Sequence, residues 1–300
     1  MRTFAARHSA LLLGLCVAAM LPACHRSDKS ASGPRHFEVR GIVRGLLPDQ
    51  KTINVEHEEI PGFMAAMTMP FTAKDPKERA ALRVGDAISF RLTVTDQDSW
   101  IDQIKKINPE EVRLPARKTE PTPTTQTSPR LREGDPMPPF ELTDQNGQTI
   151  TLDTYRGRPF VVTFIFTRCP IPNFCPLMNK NFAELQNAIK SGSGPLAETR
   201  LLSISFDPEN DTPAVLKEHA QREGADPAVW TFATGAQSQI KELTARFSVH
   251  VQPEAGTISH GLATALIDAN GRIVAIWRGN GWKPDEVVGR VADANAQPFS

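Results

Sequence analysis

The chain has 300 residues, with 34 Lys+Arg balanced by 34 Asp+Glu and 40% hydrophobic residues. That length suits two modest domains better than one large one, and the apolar share is enough to build ordinary cores. The zero formal net charge argues against a nucleic-acid binder, which would show a basic excess or stripe.

The first segment reads as an export signal. Arg2 and Arg7 precede an apolar run from Leu11 to Leu21. The run falls short of the about 20 apolar residues a spanning helix needs. It ends in Leu21-Pro22-Ala23-Cys24, which resembles the lipobox of bacterial lipoproteins. The resemblance implies cleavage at Cys24 and a lipid anchor on it, holding the protein at a membrane surface without a spanning helix. Pro22 is unusual at its position, so ordinary signal cleavage is the alternative. Either way the expected location is the periplasmic side of a bacterial membrane. Residues 25–35 are polar and read as a tether.

Residues 36–108 are rich in strands. Phe37 to Val43, Thr52 to Val55 and Ile88 to Leu92 alternate apolar and polar residues, the period of a half-buried strand. Short strands at close spacing predict a small all-β, OB-like barrel. Residues 109–134 hold Pro109, Pro115, Pro121, Pro123 and Pro129 among polar residues, and read as an extended linker.

Residues 135–300 alternate strand and helix. Phe160 to Phe166 is a near-continuous apolar run, as a buried central strand requires. A helix is expected from Cys175 to Lys190, and a second buried strand from Arg200 to Phe206. Asp211-Thr212-Pro213 opens another helix with Asp211 as N-cap, and Gln237 to Phe247 is helical. Leu262 to Ile267 and Ile273 to Trp277 flank Asp268-Ala269-Asn270-Gly271, a hairpin signal. A last helix starts near Pro284. The order β-α-β-α-β-β-α predicts an α/β thioredoxin-like domain.

Beyond the signal, the chain keeps two cysteines, Cys169 and Cys175. They follow the first buried strand, where the next helix begins. A helix N-terminus favours a thiolate over a thiol. A thiolate serves both as a nucleophile in disulfide exchange and as a soft ligand for Cu(I). An inert disulfide bracing a loop is the third possibility.

Thr167-Arg168-Cys169-Pro170, Cys175-Pro176, Ser205 to Pro213 and Ser259-His260 together resemble the Sco/SenC family over residues 131–298. That resemblance implies a thioredoxin fold binding copper through Cys169, Cys175 and His260. It also implies a role in delivering copper to, or reducing the thiols of, the CuA site of cytochrome c oxidase. One departure stands out: the family's cysteines are separated by three residues, and here Pro170-Ile171-Pro172-Asn173-Phe174 makes five. The pair is expected to close as a disulfide in the oxidised state, and to be the catalytic dithiol if the protein is redox-active. His260 is expected at the start of a strand facing the cysteine loop. Asp207, on the same rim, is either an orienting neighbour of the site or a loop former. His219 and His250 read as surface residues.

The N-terminal segment carries its own cluster. Met64, Met67 and Met69 lie within six residues. Met67 and Met69 share a face if they are in a strand, and a hairpin would place His57 opposite them. Thioether and imidazole suit Cu(I), although methionines are also ordinary core fillers. The His57 to Met67-Thr68-Met69 pattern and Val84-Gly85-Asp86 are similar to the periplasmic copper-binding CusF-like domain, a five-stranded barrel. That similarity implies a copper site of His57, Met67 and Met69, with Met64 near the place of the family's tryptophan and supplying a third thioether ligand in place of its cation–π cap.

The expected function is thus an exported Cu(I)-binding metallochaperone supporting CuA assembly. Its partners would be the CuA subunit or another copper client, and a thiol-disulfide reductant. A thiol-disulfide oxidoreductase and a copper sequestration protein are the alternatives. No phosphate-binding glycine loop, nucleophile elbow or paired carboxylates indicate another enzyme class.

Overall fold

The alternating apolar residues of the N-terminal half turn inward to form one antiparallel sheet. A computed structural model describes residues 33–96, 98–115, 129–254 and 257–296. Cys24 and the export segment lie outside the described residues. The first sheet comprises β1 (Arg35–Leu46), β2 (Thr52–His57), β3 (Met67–Thr72), β4 (Ala87–Val94) and β5 (Ser99–Lys106), with a short helix α1 (Pro76–Ala80) between β3 and β4. Its strand order is β3-β2-β1-β4-β5. Ala73, just past β3, bridges to Ile101 in β5, and the Lys74 N–H donates to the Ile101 carbonyl at 2.8 Å. These links draw the two edges together as in a small barrel, which spares both edges exposure. Val43, Ile53, Val55, Ile88, Phe90 and Leu92 fill the interior.

Close strand approach here depends on a missing side chain. Gly41 in β1 pairs with His57 in β2. A Cβ at this position would stand 2.5 Å from the Glu56 carbonyl oxygen and 2.9 Å from the His57 Cα. We expect Gly41→Ala to destabilise the chain by about 1–3 kcal/mol, as overpacking does. A fall in the thermal unfolding midpoint would register it, and an unchanged midpoint would refute it.

The C-terminal half builds a second sheet of order β14-β13-β8-β9-β10-β6-β7. A hairpin of β6 (Glu141–Asp144) and β7 (Thr149–Thr151) comes first, then the central strand β8 (Phe160–Ile165). Every residue of β8 is buried, the signature of a strand covered on both faces. Helix α2 (Cys175–Ser191), the short α3 (Pro195–Glu198) and β9 (Arg200–Ser205) follow. Next come α4 (Pro213–Arg222), β10 (Trp230–Thr234) and α5 (Gln237–Arg246). β8, β9 and β10 run parallel. A two-stranded hairpin of β11 (Val251–Glu254) and β12 (Thr257–His260) precedes β13 (Ala263–Ile267), β14 (Ile273–Arg278) and α6 (Pro284–Ala296). β13 lies antiparallel to β8. The result is the thioredoxin-like α/β domain expected. Leu131 is almost fully buried, and its N–H bonds to the Arg246 carbonyl, so ordered packing on this half begins upstream of residue 135.

Three expectations need correction. Helix α4 is capped by Thr212, whose hydroxyl accepts from the Val215 N–H, and not by Asp211. His219 is buried, with Asn179 at 2.9 Å from its Nε2, and burial, reinforced by Arg222, pushes its pKa down to about 4. Its place on the inward face of α4 explains this, since Leu216 and Ala220 beside it are buried as well. His260 does not start a core strand: it ends β12, outside the seven-stranded sheet.

Candidate metal centre

The cysteine site is assembled where β8 ends. Beyond that strand the backbone turns through Thr167 and Arg168, and a buried carboxylate fixes the turn. Asp211 is fully buried. It accepts from the Thr167 N–H at 3.0 Å, the Thr167 hydroxyl at 2.5 Å and the Ser205 hydroxyl at 2.5 Å. A carboxylate taken from water needs such a donor set to be tolerable. Asp207, itself buried, accepts from Arg168 at 2.9 Å and from the Asn210 side chain at 2.8 Å. It therefore braces the residue before Cys169 and touches neither thiol.

Cys169 lies half-buried in the loop, and Cys175 is buried as the first residue of α2. Both are free cysteines. His260 reaches them from the β11–β12 hairpin, where it pairs with Val251. Its Nε2 stands 4.0 Å from the Cys169 Sγ and 3.8 Å from the Cys175 Sγ. All three ligand atoms lie within 4.8 Å of one another. The His260 Nδ1 is 2.8 Å from the Gly261 carbonyl oxygen. A carbonyl only accepts, so in the neutral ring Nδ1 carries the proton and Nε2 turns its lone pair toward the sulfurs. Phe166, Phe174 and Phe206 surround the ring at centroid distances of 5.4, 5.6 and 4.8 Å, holding its plane.

The two thiols differ in character. Burial works to raise both. At Cys169 it is outweighed by the hydrogen bond with Cys175 and, when the His260 ring is protonated, by that ring's hydrogen bond and charge, and the pKa falls well below the ordinary thiol range. At Cys175 burial and the neighbouring Cys169 act together and push the pKa well up. Cys169 is thus the first to ionise and the more accessible of the pair.

The barrel site forms from the β2–β3 hairpin. His57 pairs directly with Met67, and Val55 with Met69, so the imidazole and the Met67 thioether share a face, with Cβ atoms about 4.5–5.5 Å apart. Met64 joins them through the turn, where it bridges to Ile60. His57 is completely buried. Its Nδ1 meets the Glu58 carbonyl at 2.6 Å, and its buried Nε2 has no hydrogen-bond partner. Burial holds its pKa down to about 4, which keeps the ring neutral and the Nε2 lone pair free. An orphaned imidazole nitrogen costs stability unless something binds it. A soft cation fits this donor set.

The two groups face one another. Met64, Met67 and Met69 line a small cavity together with Cys169, Phe174 and His260. Its free volume is about 20 Å³, room for roughly one water-sized sphere. His57 is not among its lining residues and reaches the group through its cross-strand neighbour Met67. Sequence reasoning had found both donor groups but not their shared chamber. It had also missed Asp211 as the anchor of the turn and Asn173, which reaches the barrel from the cysteine loop.

Residues 129–295 match the family described as SCO1/SenC, and residues 36–106 match the copper binding periplasmic protein CusF. An SCO1 protein homolog of Bacillus subtilis is 30% identical over 52% of this chain and 81% of its own length. An SCO2-like protein of Rickettsia prowazekii is 36% identical over 45% of this chain and 65% of its own. Among solved structures, Bradyrhizobium japonicum ScoI with copper bound is 27% identical, with a TM-score of 0.45, covering 53% of this chain and 99% of that one.

Proposed function

This chain belongs to the SCO1/SenC family, and on that premise we propose that it is an exported Cu(I) metallochaperone supporting assembly of the CuA site of cytochrome c oxidase. The observation that carries the reading is the convergence of Cys169, Cys175 and His260 within 4.8 Å. Two sulfurs and one imidazole form a three-coordinate donor set that suits Cu(I). The barrel group of His57, Met64, Met67 and Met69 is a second Cu(I) site. The export segment and the match of residues 36–106 to a periplasmic copper protein support a periplasmic placement. Among the described residues no helix is long and apolar enough to cross a membrane, and lipidation of Cys24 supplies the anchor.

The test is complementation. In cells lacking this chain, the wild type restores the CuA optical signal and oxidase turnover, and the double variant Cys169→Ser/Cys175→Ser restores neither. Full restoration by that variant would overturn the reading.

One observation favours a second reading. A half-buried, readily ionised Cys169 beside a buried Cys175 is the arrangement of an attacking and a resolving thiol. The chain would then reduce a client disulfide and be regenerated by a thiol reductant. A client whose cysteines become reduced by copper-free protein, one equivalent per chain, would identify that activity.

A further inference from the structure

The five residues between the cysteines have an assignable partner. Asn173 bonds the barrel twice through its side chain. Its Oδ1 accepts from the Ser99 hydroxyl at 2.7 Å, and its Nδ2 donates to the Ser99 carbonyl at 3.3 Å. Its own carbonyl accepts from the Asn280 side chain at 2.7 Å, which ties the loop to the second half of the molecule. Ser99 is buried at the start of β5. Ile171 and Phe174, in the same loop, are 5% and 6% exposed, although loop residues ordinarily sit at the surface. Both line the cavity that Met64, Met67 and Met69 close from the barrel side.

We propose that the cysteine loop is a docking latch for the barrel, and that Cu(I) passes between the thioethers and the Cys169, Cys175 and His260 group inside the chamber the latch closes. The proposal rests on the Cu(I) reading above. The chamber has room for one small sphere, so an ion leaving one set meets the other without regaining a hydration shell. The step is a ligand exchange. The Cu–thioether bonds and the Cu–His57 bond break, and two Cu–thiolate bonds to Cys169 and Cys175 and one Cu–imidazole bond to His260 form in their place. Copper stays Cu(I) with one ligand fewer, and a thiol still protonated on arrival releases its proton to solvent. Thioether, imidazole and thiolate are all soft enough to share the ion. The barrel methionines also wall the cavity that Cys169 lines, so opening the latch widens a client's access to the thiols.

The latch is tested on the full chain carrying one equivalent of Cu(I) under anaerobic conditions, with excess bicinchoninate as extractor. Loss of the Asn173 side chain removes two hydrogen bonds, so Asn173→Ala should speed extraction by about tenfold. Ser99→Ala should speed it less, and should add nothing on top of Asn173→Ala, because both act on one contact. Unchanged extraction in Asn173→Ala overturns the latch. The transfer step is tested with Met64→Leu/Met67→Leu/Met69→Leu, which keeps volume and removes sulfur. Growth of the near-ultraviolet thiolate–copper absorption after mixing with Cu(I) should slow by about tenfold, with its final amplitude unchanged. Equal rates overturn the transfer. A chain that takes up no Cu(I) at all overturns the metallochaperone reading as well, whereas full uptake with unaltered kinetics overturns this proposal alone.

Discussion

Cys169→Ser lowers Cu(I) affinity at the thiolate pair by more than about 100-fold. Loss of a partner that merely orients a ligand already costs about 10–100-fold in metal affinity, and Cys169 is proposed as a direct ligand. Serine keeps the size of the side chain and its place in the loop but replaces a soft sulfur with a hard oxygen, which Cu(I) does not favour. It also removes the group that ionises first. The remaining Cys175 sulfur and His260 Nε2, 3.8 Å apart, form a two-coordinate remnant. A competition titration against a chromophoric Cu(I) chelator measures the change, and an affinity within threefold of wild type would exclude Cys169 as a ligand.

Asp211→Ala costs roughly 3–5 kcal/mol of stability, from three stranded donors at about 1–3 kcal/mol each, partly relieved by relaxation. The carboxylate has no exposure, so water does not readily replace it. Its three bonds tie Thr167 to Ser205, and so fasten the end of β8 to the end of β9. For a chain of this size 1 kcal/mol shifts the midpoint by about 2–4 °C, so thermal unfolding should fall by about 6–20 °C. A loss below 2 °C would show that the donors find other partners. Because the Thr167 turn carries Cys169, a slackened turn should also weaken copper binding in the protein that remains folded.

Local pattern carried most of the architecture. The near-continuous apolar run from Phe160 to Phe166, broken only by Thr163, announces a strand buried on both faces, and the Asp268 to Gly271 turn announces a hairpin. In that hairpin Gly271 adopts a φ of 79°, and Asp268 accepts from the Asn270 and Arg272 N–H groups. β10 was missed, because Trp230 to Thr234 is five residues long with no alternation to count. The β11–β12 hairpin was missed too, so His260 was expected in the wrong element although beside the correct loop. The donor residues themselves were visible as residue types at suggestive spacings. What no spacing reports is a contact between residues 74 positions apart, such as Ser99 with Asn173, or the way a carboxylate labelled as a helix cap swings inward to hold a turn.

Both histidines hinge on the peptide unit that follows them, His57 on Glu58 and His260 on Gly261. Tautomer choice at each donor nitrogen is thereby written into the main chain, which no side-chain substitution deletes. A new side chain at Glu58 or Gly261 leaves the carbonyl that aims Nε2 in place. A grafted hairpin of either kind would bring its own orientation to a new host.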